Sequence, residues 1–384
     1  MTAHTHNPLR ILHGIPSLDL RHGGPSQSVA GLVSGLAALD HAPAKVAVMC
    51  RLDPNEPHLS TFAARHPVEF LHDRHWLPCA GSFRRIGQAV AGADIVHVHS
   101  YWNAFAATLL HAARRAGKPV VLSPRGCLHK EAIAYSSPLP KRLFGTLAGH
   151  RQLAGIAGFH FQSAEEAQHS LTGHGSAPAL VVDNGVEIPD ARMTPDEARA
   201  VTFGAGPAQL NLLFLGRLNR IKGIDLQLRA LQHLRAFGLD AVLHLVGPDG
   251  GDLARLWTLA RDLGVGQHLH VHGPVFDTRK HLWLRGADAV LMSSEFENNS
   301  NTALEAMAAG GVLVATQGSV PVSAVRAGAA VCTERSAQAL AVAVRAMTRP
   351  QAQTQRARAV AYVQAHHGWP SRAQRMLDFY QCLL

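Results

Sequence analysis

The chain has 384 residues, 47% of them hydrophobic and 16% charged, which is the composition of a folded protein of two or three domains and excludes a disordered one. Its net charge of +9 suits an anionic partner, whether a nucleoside diphosphate, an acidic membrane surface or a nucleic acid. No apolar run approaches the roughly 18 residues of a membrane span, and five scattered cysteines without a Cys-x-x-Cys pair point to a reduced, cytoplasmic protein with neither a disulfide framework nor a zinc ribbon.

The first apolar run, Leu9–Ile15, reads as a buried strand and not as a signal peptide, because no small-residue cleavage site follows it. Gly23-Gly24-Pro25 breaks the chain, and an apolar-periodic helix is expected over Ser26–Leu39. Further strands are expected at Val46–Cys50, Val68–Leu71, Ile95–Val98, Pro119–Leu122, Phe159–Phe161 and Leu180–Val182. Helices alternate with them, the clearest over Trp102–Arg115, stopping at Gly117. The stretch from Glu187 to Gln209 then loses its periodicity and gathers three prolines, so residues 191–209 are read as a linker. The pattern restarts with strands at Leu210–Leu215, Ala241–Val246, His268–His272, Ala289–Met292 and Val312–Thr316. Helices are expected over Asp225–Phe237, Leu253–Leu263, His281–Arg285 and Thr302–Ala309, with further helices at the end.

Alternation of this kind specifies two doubly wound parallel-sheet α/β domains, 1–190 and 210–366. A last helix opening at Gly368-Trp369-Pro370 would return toward the first domain. Ligands of such domains sit beyond the carboxyl ends of the strands, here in a cleft between the halves.

Three segments of the second half follow strands. In Gly216-Arg217-Leu218-Asn219-Arg220-Ile221-Lys222-Gly223, two cations precede a helix and two glycines allow close backbone approach, which suits a diphosphate. A solvated basic turn would look the same. Val246-Gly247-Pro248-Asp249-Gly250-Gly251 is a glycine-rich turn of weak specificity. In Glu295-Phe296-Glu297-Asn298-Asn299-Ser300-Asn301-Thr302-Ala303-Leu304-Glu305, carboxylates flank a polar run that opens a helix. Glu297 and Glu305 would lie about 12 Å apart along one ideal helix. They are able to accept hydrogen bonds from different hydroxyls of an extended sugar nucleotide. Alternatively, Glu305 is an ordinary helix residue and Glu295 and Glu297 are charges favoured by the helix dipole.

Taken in order, these segments resemble the retaining glycosyltransferases of the GT-B fold, specifically glycosyltransferase family 4. The likeness rests on Glu297 and Glu305 with seven residues between them, followed by Ala306-Met307-Ala308-Ala309-Gly310. It is extended by Phe214-Leu215-Gly216-Arg217-Leu218 with Lys222-Gly223, by Ile15-Pro16-Ser17-Leu18 with Gly23-Gly24-Pro25-Ser26, and by Asn184-Gly185-Val186. The resemblance implies two Rossmann-like domains and a nucleotide-diphosphate sugar as co-substrate, with no metal or other cofactor. Glu305 would hold the ribose, Glu297 the transferred sugar, and Arg217 and Lys222 the leaving diphosphate. Gly24 would approach the distal phosphate, and Gly216, Gly247, Asn298, Asn299, Ser300, Asn301 and Thr302 would line the donor site.

On the acceptor side the chain has Pro124-Arg125-Gly126 where many members carry a histidine, so Arg125 and the nearby His99 are the candidates there. Arg125 is unfit as a general base and suited to a phosphate. Two further departures are Ala309-Gly310-Gly311-Val312-Leu313, where members usually have Cys-Gly-x-Pro-Val, and Val322, where they often have a glutamate after Pro321. The implied acceptor is a saccharide or a polyprenyl-linked saccharide in exopolysaccharide or lipopolysaccharide assembly. A catalytically impaired protein that binds a nucleotide sugar or another anion is the alternative. Basic residues from Arg114 to Arg151 would let the first domain rest on an anionic inner leaflet, unless they belong to a helix packed on its own domain. Nucleic acid is not an expected partner, since no helix-turn-helix, zinc finger or basic–aromatic block occurs.

Overall fold

The computed structural model describes residues 8–19, 24–39, 44–51, 59, 62–71, 78–130, 150–172, 177–189, 193–204, 209–295, 297 and 300–384. The chain divides into two units, one of residues 1–185 with 369–384, the other of residues 186–368.

Unit 1 is built on a seven-stranded parallel sheet. Its strands are β1 (Leu9–Gly14), β2 (Ala44–Arg51), β3 (Val68–Leu71), β4 (Ile95–His99), β5 (Val120–Ser123), β6 (Gly158–Phe161) and β7 (Ala179–Val181), in the order 3-2-1-4-5-6-7. The switch point, where successive connections run in opposite directions from β1, brings the carboxyl ends of β1 and β4 side by side. β4 and β5 are buried throughout, which is why they read as continuous apolar runs interrupted only by His97, His99 and Ser123.

Helix α1 (Gly24–Ala37) follows β1 and packs against the C-terminal helix, Trp369–Cys382, through a core that joins Val29, Val33 and Leu36 to Ala373, Met376 and Tyr380. Glycine is required at two places here: a Cβ at Gly31 or Gly185 would overlap the Trp369 ring. On the other core, α2 (Ala80–Gly92) buries Ser82, Ile86 and Val90 at four-residue spacing, and α3 (Ala104–Arg115) buries Phe105, Leu109 and Ala113. The Asn103 side chain caps α3 by accepting from the Ala106 N–H at 2.8 Å.

Unit 2 carries a six-stranded parallel sheet: β8 (Leu210–Leu215), β9 (Ala241–Val246), β10 (Leu269–Val271), β11 (Ala289–Met292), β12 (Leu313–Thr316) and β13 (Val331–Thr333), in the order 10-9-8-11-12-13. The stretch read as a linker, 191–209, contains regular structure among its described residues. Pro195–Phe203 forms helix α4, opened by a capping box between Thr194 and Glu197 and closed by Gly204 in the left-handed conformation. It packs on the helix Asp277–Gly286 at a glycine: a Cβ on Gly286 would press on the backbone of Ala198 and Arg199. Arg199 then ion-pairs with Asp288 and donates to the Gln209 carbonyl, fixing the entry to β8.

Candidate functional site

In unit 2 the loop after β8 and the loop after β11 are stitched together. Arg220–Lys222 forms one 3-10 turn, and Gly223, at φ 61°, passes the chain into α5 (Ile224–Ala236). Gly223 has no substitute, since a Cβ there would overlap the Ser293 carbonyl oxygen. The Ser293 hydroxyl donates to the Gly223 carbonyl at 2.8 Å and accepts from Gln227 Nε2 at 2.9 Å, and the Glu295 N–H donates to the Ile221 carbonyl at 2.8 Å.

This seam places Lys222 Nζ 2.5 Å from Glu297 Oε1, which also accepts from the Ser294 hydroxyl at 2.7 Å. Lys222 and Glu297 are thus brought together, and Arg217 stands exposed at the start of the same loop. Gly216 and Gly247 share one tight backbone crossing, where a Cβ on Gly247 would overlap the Gly216 carbonyl oxygen.

Glu297 lies before the helix and Glu305 within it. Helix α6 spans Asn301–Ala308, capped by Ser300, whose hydroxyl accepts from the Ala303 N–H. Asn301 and Thr302 open its first turn, half-buried. Glu305 is almost fully buried and is met by Lys280 Nζ at 2.6 Å, from the helix Asp277–Gly286. Sequence reasoning passed over Lys280, which has no spacing relation to Glu305. Asn298 and Asn299 lie outside the described residues.

In unit 1, Arg125 follows β5 with φ 53° and Ser100 follows β4 with φ 71°, two non-glycine residues in the left-handed region at adjacent strand ends. Strained backbone of this kind gathers at ligand sites. Arg125 Nη1 donates to the Ser28 hydroxyl at 2.7 Å, and Ser28 donates to the Gly24 carbonyl at 3.0 Å. The guanidinium is thereby tied to the first turn of α1, where Gly24 sits. Arg125 Nε donates to His99 Nδ1 at 3.2 Å. Glu166 accepts from the Gly126 and Gln162 N–H groups and lies close enough to offset part of the arginine's burial. Burial still lowers the Arg125 pKa to about 10.

These contacts fix the histidine tautomers. Arginine can only donate, so His99 Nδ1 accepts; His99 Nε2–H then donates to His13 Nδ1 at 2.9 Å, and His13 Nε2 carries a proton with no partner among the described residues. A second chain runs from the other direction. His160 Nε2 lies 3.0 Å from the Val182 carbonyl and must donate, so its Nδ1 accepts from the Ser123 hydroxyl at 2.7 Å. Ser123 in turn accepts from His97 Nε2 at 2.7 Å, and His97 Nδ1 accepts from the Tyr380 hydroxyl at 2.6 Å.

Every ring is neutral. Burial, then Arg125, pushes His13 down to about 3, and burial pushes His160 to about 3 and His97 and His99 well below 6.5. His13, His97 and His99 offer nitrogens within 4.8 Å of one another. The shared nitrogens are committed to hydrogen bonds and Arg125 adds a positive charge, so the trio does not suit a cation. His99 is fully buried, with one ring nitrogen on Arg125 and the other on His13. The alternation of His97 and His99 in one strand was the available signal for this network; His13, Ser123, His160 and Tyr380 join it only through strand order.

Two parallel-sheet units with these loops at their strand ends define a GT-B glycosyltransferase. The fold matches Anabaena Alr3699/HepE, crystallised with UDP and glucose, at a TM-score of 0.77 and 18% identity over 97% of this chain and all of that one. It also matches sucrose-phosphate synthase from Thermosynechococcus elongatus at 0.75 and 18%, over 98% and 99%. Residues 204–364 match the family model of glycosyl transferases group 1, and residues 23–185 that of the glycosyl transferase 4-like domain. The D-inositol 3-phosphate glycosyltransferase 1 of Catenulispora acidiphila is 31% identical over 324 residues, covering 78% of this chain and 76% of that protein. The D-inositol 3-phosphate glycosyltransferase of Actinosynnema mirum is 33% identical over 248 residues, 60% of this chain and 58% of its own length. The chain belongs to the glycosyl transferases group 1 family.

Proposed function

We propose that this protein is a retaining, metal-independent hexosyltransferase using a nucleoside diphosphate sugar as donor. The observation that carries the reading is the seam between the β8 and β11 loops, which sets Lys222 and Glu297 in contact, on the loop that Arg217 opens, at the mouth of a parallel sheet. Departure of the diphosphate breaks the bond between the anomeric carbon and the phosphate oxygen and leaves negative charge on that oxygen. Lys222, held by Glu297, and Arg217 are the cations that stabilise it, a contribution of about 3 kcal/mol for one preorganised partner. The acceptor hydroxyl adds to the anomeric carbon on the face the diphosphate leaves, and its proton passes to the departing phosphate oxygen. Glu297 already accepts from Lys222 and Ser294, which suits a carboxylate that orients the sugar and argues against a nucleophile. Glu305 takes the ribose hydroxyls.

For the acceptor, Arg125 supplies a guanidinium supported by His99 and held to α1 by Ser28. It fits a saccharide that carries a phosphate, free or within a polyprenyl diphosphate linkage, as in exopolysaccharide or lipopolysaccharide assembly. The relatives are named for a phosphorylated acceptor, D-inositol 3-phosphate. No helix among the described residues is long and apolar enough to cross a membrane. Contact with an anionic leaflet would instead use basic residues such as Arg114, Arg115 and Lys118.

A second reading, a GT-B protein that binds the donor without turnover, draws on Val322, 65% exposed where a glutamate is common in the family. One experiment separates the two. UDP, GDP, ADP, CDP and TDP, then their sugars, are tested by thermal shift on wild type and Glu305→Ala. A cognate ligand at 100 times its Kd stabilises by about 2.7 kcal/mol. The shift should shrink in the variant, and the cognate sugar nucleotide should then be consumed with retained anomeric configuration in the presence of a chelator. Binding without turnover across a panel of phosphorylated and lipid-linked acceptors would leave the second reading; no binding at all would remove both.

A further inference from the structure

The two carboxylates of the donor loop each meet a lysine, and the second lysine has no part in the reading above. Lys280 lies on the helix Asp277–Gly286, which follows β10, and its side chain is 15% exposed. Its Nζ donates to Glu305 Oε1 at 2.6 Å, and the Glu305 side chain is 5% exposed. A carboxylate this buried needs a charge partner. The neighbours of Glu305 along its helix, Leu304, Ala306, Met307 and Ala308, are apolar and buried, so they supply none. Lys280 therefore does two things for Glu305. It compensates the charge, and by engaging Oε1 it fixes the rotation of the carboxylate and leaves Oε2 as the oxygen available to an incoming hydroxyl.

We infer that Lys280 is a positioning residue for the nucleotide: acting through Glu305, it sets the selectivity of the donor site for a ribose over a 2′-deoxyribose. The inference rests on the reading of Glu305 as the ribose-binding carboxylate. The hydroxyl of the ribose donates to Glu305 Oε2, and a deoxy sugar leaves that oxygen buried and unsatisfied. Hydrogen bonds to charged groups carry this kind of discrimination best.

The test compares the affinities of UDP, GDP and ADP with those of their 2′-deoxy counterparts, by calorimetry on the full chain. Wild type should prefer the ribonucleotide of its cognate base by about tenfold. Lys280→Met should bring the ratio close to one, and Lys280→Arg should restore most of it. Lys280→Met leaves the Glu305 carboxylate uncompensated and Glu305→Gln leaves the Lys280 ammonium without its partner, so the double variant K280M/E305Q, which removes both charges, completes the set. In the Glu305→Gln background, loss of Lys280 should change the affinity of either nucleotide less than twofold.

Wild-type discrimination that survives in Lys280→Met overturns the inference and leaves the donor site standing. So does a further large fall in affinity in the double variant, which would mean that Lys280 touches the nucleotide itself. Wild type that binds the ribo and 2′-deoxy forms equally overturns the contact of Glu305 with the 2′-hydroxyl together with the role of Lys280. Wild type that binds no diphosphate overturns the donor site as a whole.

Discussion

Acid should destabilise unit 1 well above the pH at which its carboxylates titrate, because its core holds neutral histidines. His13 and His160 are fully buried and held at about 3 in the folded protein, against 6.5 in an unfolded chain. Below pH 6.5 the unfolded state takes up protons that the folded state does not, so stability falls as pH falls, from 6.5 down to about 3. At pH 5 each of these two histidines costs about 2 kcal/mol, the 1.5 unit interval at 1.36 kcal/mol per unit. The pair therefore removes about 4 kcal/mol of a stability that is about 5–15 kcal/mol for an ordinary domain. His97 and His99 shift in the same direction and steepen the fall. Urea unfolding followed by far-UV circular dichroism at pH 7.5, 6.5, 5.5 and 5.0 reads this as a falling midpoint below pH 6.5. His160→Gln keeps a donor for the Val182 carbonyl and an acceptor for Ser123 while removing one proton site. It should flatten the acid limb by about 1.4 kcal/mol per pH unit. A midpoint unchanged between pH 7.5 and 5.0, or an acid limb identical in His160→Gln, would refute the neutral-histidine assignment.

Gly247→Ala forces a Cβ onto the Gly216 carbonyl at φ 148° and should cost about 1–3 kcal/mol, whereas Gly87→Ala, in α2 with nothing within 4 Å of the added carbon, should gain about 0.5–1 kcal/mol. Differential scanning calorimetry distinguishes them by the sign of the shift in Tm, and equal signs would count against the crossing. Lys222→Ala should lower kcat about 100-fold with a donor KM changed far less; a loss below threefold in a turnover assay would remove Lys222 from the reaction. Arg125→Lys gives up the fixed fork that reaches His99 and Ser28 together, so kcat/KM for the acceptor should fall at least about tenfold while donor affinity stays the same. An unchanged acceptor KM and kcat would place Arg125 outside the acceptor site.

What the sequence made legible, and what it did not, follows from where the information resides. Parallel strands buried on both faces must be apolar along their whole length, so β1, β4, β8 and β9 could be placed from the sequence to within a residue or two. Helix α4 was lost to a compositional argument. Pro195 and Pro207 suggested a linker, yet Pro195 occupies the first helical turn, where its missing N–H costs nothing, and Thr194 with Glu197 already spelled a capping box. Lys222 and Glu297 stood in recognisable phrases, although their contact depends on β8 and β11 being neighbours in the sheet. Lys280 and Tyr380 stood in none. Lys280 reaches Glu305 because its helix follows an edge strand two places away from β8, and Tyr380 reaches His97 across 283 residues because the C-terminal helix packs on α1. Residues that would touch the substrate sit in short local motifs that a sequence displays. Residues that hold those side chains in place are distributed over whatever elements the topology brings alongside. The orientations of Glu305 and Arg125 are both set by the second kind, so altering Lys280 or His99 should change how the site binds without altering any residue that meets the ligand.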